Sequence, residues 1–185
     1  MGPTPLPRRP PPSHDEIPMP EPTLPQPPAT IDGAAAALGR IPSGLFVVCW
    51  RDGDVDRVML ASWVIQAGFA PAAVSVAIAP GRDLLAAIDR GAAFVVNILA
   101  ESQRTLLSRF GKPSAPGDDP FAGLDVVRTP GGNVALAAAS GWLECRATTR
   151  TTGGDHVVVV AEVTAGEAGP EAQPLVHVRK NGLRY

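Results

Sequence analysis

The sequence predicts a mainly β protein, an antiparallel barrel or sandwich with a few short flanking helices. Short apolar runs recur at hairpin spacing, divided by turns rich in Gly, Pro and Asp. Helical spacing of apolar residues is confined to brief segments. No Gly-x-Gly-x-x-Gly opens a strand-to-helix turn, which disfavours a parallel dinucleotide-binding sheet. At 185 residues the chain suits one domain with ample length for a core.

Each element has its own signal. Residues 1–28 hold 12 of the chain's 21 prolines and almost no aromatic or β-branched residue, too little apolar area to offset ordering entropy. They are expected to form a disordered tail, with the folded domain covering residues 29–185. Residues 33–39 read as a short helix with Asp32 as N-cap and Gly39 near its end. The first strand covers residues 45–50. Asp52-Gly53 marks a hairpin turn that returns into a strand at 55–62. A strand at 73–79 follows, then a helix at 83–89 with Leu84, Leu85 and Ile88 on one face, closed by Gly91. Residues 94–99 form a buried strand, and residues 102–110 a helix facing inward through Leu106, Leu107 and Phe110. The Gly/Pro/Asp loop 112–122 is long enough to suggest a place at a site. Three strands follow at 124–127, 142–150 and 157–164. In the middle one, Leu143, Cys145, Ala147 and Thr149 alternate with Glu144, Arg146, Thr148 and Arg150, which predicts one buried and one wet face. Residues 175–179 and the turn Asn181-Gly182 close the chain.

Composition narrows the function. A formal net charge of −2 suggests neither a nucleic-acid track nor a polybasic membrane surface. No apolar run approaches the roughly 18–20 residues that span a bilayer, and prolines interrupt every short apolar stretch of the N-terminus, so no secretory core is expected. Cys49 and Cys145 lie in strands without CxxC spacing and read as buried thiols; no metal site is expected. A reducing cytoplasm fits these features. Gly-x-Ser-x-Gly and His-Glu-x-x-His are missing, and His14, His156 and His177 are scattered. So few acids and bases suit an enzyme whose cofactor carries the reaction.

The run Met59-Leu-Ala-Ser-Trp63, continued by Val64, Ile65, Gln66, Ala67, Gly68, Phe69, Ala70 and Pro71, is strand-like yet built of small and singly polar residues. Such a backbone can lie close against a flat aromatic ligand. Together with Ile41-Pro-Ser-Gly-Leu45, Phe94-Val-Val-Asn-Ile-Leu-Ala-Glu101, Trp142-Leu-Glu-Cys145, Gly154-Asp-His156 and the end His177-Val-Arg-Lys-Asn-Gly182, the chain resembles the flavin reductase-like family from about residue 35 onward. Within it the pieces are similar to the flavin reductase module of diflavin flavoproteins, without the other domains of that arrangement. The resemblance implies an FMN-binding split β-barrel. It also implies flavin contacts from Leu60, Ala61, Ser62, Trp63, Gln66, Ala67 and Gly68, and a phosphate contact from Arg82 after Gly81. Amides, helix dipole and guanidinium there all favour a dianion, against the nearby charge of Asp83. His156 is implied as the catalytic candidate, near the flavin and nicotinamide, and Arg179 as a neighbour of the site mouth. From the residues alone, Trp63 either packs on the ring edge or fills the core, and Asn97 satisfies backbone groups.

The expected function is NAD(P)H-dependent reduction of FMN by a cytoplasmic homodimer, with electrons passed to oxygen, free flavin, or a partner oxygenase or flavoprotein. The rival reading is a non-catalytic flavin- or haem-binding module docking on a redox partner. Pyridoxamine-phosphate oxidases share the barrel type, but the dense Arg/Lys clusters expected around a second phosphate-bearing substrate are missing.

Overall fold

The computed structural model describes residues 31–112, 117–171, 173–180 and 182–183. The expected tail at 1–28 and Asn181 of the terminal turn lie outside them.

Helix α1 (Ile31–Gly39) comes first, and because Ile31 is already helical Asp32 falls inside the helix instead of capping it. Strands β1 (Ser43–Gly44), β2 (Phe46–Asp52) and β3 (Val55–Ala61) follow, the last two joined through Gly53. Next come β4 (Val64–Phe69), β5 (Ala72–Ile78), α2 (Asp83–Asp89) and β6 (Phe94–Ile98). A 3-10 turn at Glu101–Thr105 leads into α3 (Leu106–Phe110), so the helix expected at 102–110 is α-helical only in its second half. Strands β7 (Val126–Arg128), β8 (Val134–Leu136), β9 (Gly141–Gly153), β10 (His156–Ala168) and β11 (Val176–His177) complete the described chain.

Seven strands form one antiparallel sheet in the order β3-β2-β6-β9-β10-β5-β4. β3 and β4 are consecutive in sequence but terminal at opposite ends of the sheet. The run 59–71 is therefore not one strand: it breaks at Ser62-Trp63, where the chain crosses from one edge to the other. Trp63 fastens the crossing, its carbonyl accepting the Ala77 N–H at 3.0 Å. The sheet thus curls into a barrel that is split between β3 and β4, the expected fold class.

Two apolar layers hold it. Inside the barrel, Val48, Trp50, Val76, Ile78, Phe94, Val96 and Val159 pack with Leu84 and Ala87 of α2. On the outer face of β2 and β6, Val47, Cys49, Val95 and Leu99 pack under α3, Phe121 and β8. Strands covered on both faces read as continuous apolar runs, which is why residues 46–50 are all buried.

The outer layer corrects the alternation expected in β9. Glu144, assigned to the wet face, is only 3% exposed. The loop after β7 folds over it: Thr129 Oγ1 donates to its carboxylate at 2.5 Å, the Gly131 N–H at 2.9 Å and Asn133 Nδ2 at 3.2 Å. Any side chain at Gly131 would run into that carboxylate. Asn97 behaves as expected, donating to the Val47 carbonyl at 3.0 Å and accepting from the Leu136 N–H at 2.7 Å. Both cysteines are buried and free.

Candidate functional site

A groove of about 1150 Å3 runs along β3. Among the described residues β3 pairs with β2 alone, so half of its amides and carbonyls point away from the ladder and are left to whatever occupies the groove. Odd and even residues of the strand face opposite sides, so the groove wraps both. On one side lie Trp50, Ala77, Ala79 and Arg82; on the other Leu107, Phe110, Lys112, the loop residues 117–120 and His177.

The loop wall is built rather than incidental. Arg109 Nε donates to the Pro120 carbonyl at 2.9 Å and its Nη2 to the Ala122 carbonyl at 2.7 Å. Phe121 is buried beside Phe110, with ring centroids 6.1 Å apart. The described part of the loop expected at 112–122 therefore does reach the groove; residues 113–116 lie outside the described set.

Several arginines of the surface are held in ion pairs. Arg90 pairs with Asp52, Arg128 with Asp56, Arg150 with Asp89, and Arg51 with Asp54 and Asp56. Arg57, Arg82 and Lys112 line the groove, and their side chains have no ion pair or hydrogen bond among the described residues. Arg82 stands just before α2 on an extended backbone, with Gly81 at φ +80° before it, a left-handed conformation that suits glycine. Because α2 has only seven residues, the charge of Arg82 matters more here than any helix dipole.

The site residues expected from sequence fall into three groups. Leu60, Ala61, Ser62, Trp63 and Arg82 all line the groove. Gln66, Ala67 and Gly68 do not: they lie on β4, the other sheet edge, where Gln66 Nε2 donates to the Gly68 carbonyl at 3.4 Å. Gly68 meets a local demand instead, since a Cβ there would sit 2.9 Å from the Pro71 carbonyl oxygen. His156 is buried behind the groove wall, its ring 4.7 Å from that of Trp63 at an interplanar angle of 56°. Its Nδ1 lies 2.8 Å from Asp155 Oδ1, and the hydrogen bond from the imidazole holds the Asp155 carboxyl below its ordinary range. An ionised carboxylate only accepts, so Nδ1 is the donor in this contact. Arg179 covers Trp63 from the groove side, its Cζ 4.9 Å from the ring centroid.

Sequence reading missed Arg57, Lys112 and His177. Arg57 did leave a trace, a charge in the middle of the largely apolar strand Val55–Ala61. Lys112 entered only as the first residue of the loop 112–122 and His177 only as part of the C-terminal piece, because their approach to β3 depends on the packing of α3 and of the C-terminal segment.

Among the described residues no helix is long and apolar enough to cross a membrane, and no group of three or more His, Cys, Asp or Glu side chains is placed to hold a metal ion.

Comparison with known proteins agrees with this geometry. Residues 38–182 match the model of the flavin reductase like domain. Diflavin flavoprotein A 1 of Synechocystis sp. is 39% identical over 151 residues, 80% of this chain and 26% of that protein. The chain thus spans about a quarter of the length of such relatives. Among solved structures, nitrilotriacetate monooxygenase component B from Mycobacterium thermoresistibile superposes with a TM-score of 0.71 at 25% identity, over 81% of this chain and 84% of the other. An NADH:FAD oxidoreductase of Streptomyces globisporus gives 0.70 at 24% identity, over 77% and 85%, and shares the fold.

Proposed function

The chain belongs to the flavin reductase-like domain family, and on that premise we propose that it is an NAD(P)H-dependent flavin reductase that binds FMN along β3. One observation carries the reading: an edge strand with unpaired backbone lines a large groove in which Arg57, Arg82 and Lys112 make no side-chain ion pair among the described residues, although Asp54, Asp56, Asp83, Asp118 and Asp119 line it too.

Each part of the groove suits a part of that ligand. The free backbone edge at Leu60, Ala61 and Ser62 offers N–H donors toward the ring acceptors. Arg82 offers a guanidinium to the phosphate. Trp50, Leu107 and Phe110 supply apolar walls that exclude water from a reduced ring. Bound flavin supplies an electrophilic nitrogen that takes hydride from a nicotinamide; the protein's part is to align the two rings and keep the space between them dry. His156 serves the nicotinamide side through Trp63 rather than by direct exposure to the groove.

A homodimer completes the proposal. β4 is an unpaired sheet edge on which Ile65 is 70% and Phe69 90% exposed. A second copy covering that edge would bring its Gln66, Ala67 and Gly68 to a flavin held at the subunit boundary. The two buried thiols fit a reducing cytoplasm. Electrons would leave to oxygen, free flavin, or a partner oxygenase or flavoprotein, as the name of nitrilotriacetate monooxygenase component B suggests for that relative.

The decisive test is the visible spectrum of the purified protein together with multiple-turnover oxidation of NADH and NADPH in the presence of FMN. Flavin bands and sustained turnover are expected. Absence of flavin binding would end the proposal, and binding without turnover would favour a non-catalytic flavin module.

A further inference from the structure

The C-terminal segment 173–179 is stitched to the body of the protein along its length. Leu45 N–H donates to the Leu175 carbonyl at 3.2 Å, Leu175 N–H to the Leu99 carbonyl at 2.8 Å, and Arg179 N–H to the Gly39 carbonyl at 3.0 Å. Between these bonds, His177 pairs with Ser43 and Val176 with Gly44. The segment alternates in an inverted sense. His177 and Arg179 line the groove, whereas Val176 and Val178 are 55% and 57% exposed. Burial alone would turn the valines inward. Polar side chains turned inward from a fixed backbone therefore serve the groove.

Arg179 is the one whose contact is defined. Its guanidinium lies over the Trp63 ring at 4.9 Å, and Trp63 in turn meets the His156 ring at 4.7 Å, with Asp155 at 2.8 Å from the imidazole. Carboxylate, imidazole, indole and guanidinium thus follow one another across three separate segments: the β9–β10 turn with the start of β10, the β3–β4 crossing and the C-terminal segment. A cation over an indole is attracted by the electron-rich face of the ring. Ser62 and Trp63 form the crossing between the two sheet edges, outside any strand, so the ladder hydrogen bonds do not fix the direction of the indole. Arg179 and His156 both contact it.

We propose that Arg179 is a positioning residue that clamps Trp63 against His156 and so fixes the groove wall on which the nicotinamide is aligned. The proposal rests on the reading of the groove as the flavin and nicotinamide site. Without the clamp the indole can turn into the groove, and nicotinamide alignment is lost while flavin stays bound on β3.

The test is a double-mutant cycle on the full chain, with R179L, W63L and both together, and with R179K as the conservative variant. The readouts are flavin occupancy, the KM for NADH or NADPH, and the single-turnover rate of flavin reduction. R179L is expected to keep flavin and to lower kcat/KM roughly 5-fold or more, the effect of losing a cation–π contact of ordinary strength. R179K is expected to recover most of the loss, and R179L is expected to add little in the W63L background. Additive effects, no recovery in R179K, or unchanged kinetics in R179L with full flavin occupancy would overturn the clamp while leaving the reductase reading intact. A wild-type protein that binds no flavin would overturn both. Should R179L fold poorly, R179Q, which also removes the cation, takes its place in the same cycle with W63L.

Discussion

Glu144 and Arg82 are both charged, yet the fold treats them in opposite ways. Glu144 is enclosed between β9 and the loop 129–133 and accepts three hydrogen bonds, from Thr129, Gly131 and Asn133. Asn133 continues the network by accepting the Arg51 N–H at 3.0 Å, which ties the loop to β2. Among the described residues no buried side-chain nitrogen or oxygen lacks a hydrogen-bond partner. Arg82 lies exposed at the groove with no such partner, as do Arg57 and Lys112. The comparison teaches a division of labour. A buried charge without partners costs several kcal/mol, so the protein surrounds Glu144. An exposed arginine stays solvated at little cost, and leaving it unpaired keeps its donors for a ligand.

The largest effect should come from the enclosed side. Glu144→Ala strips the acceptor from three donors at once, which should cost about 3 kcal/mol and lower Tm by roughly 6–12 °C in a domain of this size. Flavin affinity of the folded fraction should stay within about 2-fold, since Glu144 does not itself line the groove. A melting curve that does not move would mean the network is ornamental to stability, and the contrast with Arg82 would collapse.

Arg82→Ala should show the reverse pattern. Ligand-free Tm should hold, while FMN binding weakens by about 1.5–3 kcal/mol, roughly 10- to 150-fold, the range for a charge-assisted contact. Riboflavin, lacking the phosphate, should bind nearly as before. Equal losses for the two ligands in a titration would remove Arg82 from the phosphate position.

The thiols sharpen the comparison from a third direction, because they are enclosed but kept neutral. Burial pushes both upward, Cys145 to about 12 from an ordinary value of 9.0, with the nearby Glu144 adding to the shift. A folded-state value above the unfolded one gives stability that is complete below pH 9.0 and is lost as pH rises toward 12. Each thiol should therefore cost on the order of 1 kcal/mol of stability by pH 10. Thermal melts of wild type and Cys145→Ala between pH 8 and 10.5 would check it: the variant should lose less over that span, and parallel curves would refute the assignment.

The smallest effect expected is none. Deletion of residues 1–28 should leave Tm and flavin content within error, because a segment holding 12 of the 21 prolines offers too little apolar area to offset its ordering entropy. A large fall in either would place the domain boundary earlier than residue 29.

The sequence by itself determined the fold class, the order of most elements and the family. Those features rest on local chemistry: alternation, hairpin turns such as Asp52-Gly53, and apolar runs such as Phe46–Asp52 covered on both faces. It also pointed to Leu60, Ala61, Ser62, Trp63 and Arg82, which the fold brings to one groove. Tertiary structure alone decided the rest. That Gln66, Ala67 and Gly68 leave for the opposite sheet edge follows from the seven-strand order, which sets β5 beside β10 and pairs residues such as Val76 and Val159 through contacts no local pattern encodes. Glu144 looked solvated because its alternation is polar, and only the loop at 129–133 encloses it. His156 and Arg179, more than twenty residues apart in sequence, meet through Trp63. Periodicity reports which face of a strand is apolar; what covers that face, and what meets at its edge, is set by long-range packing.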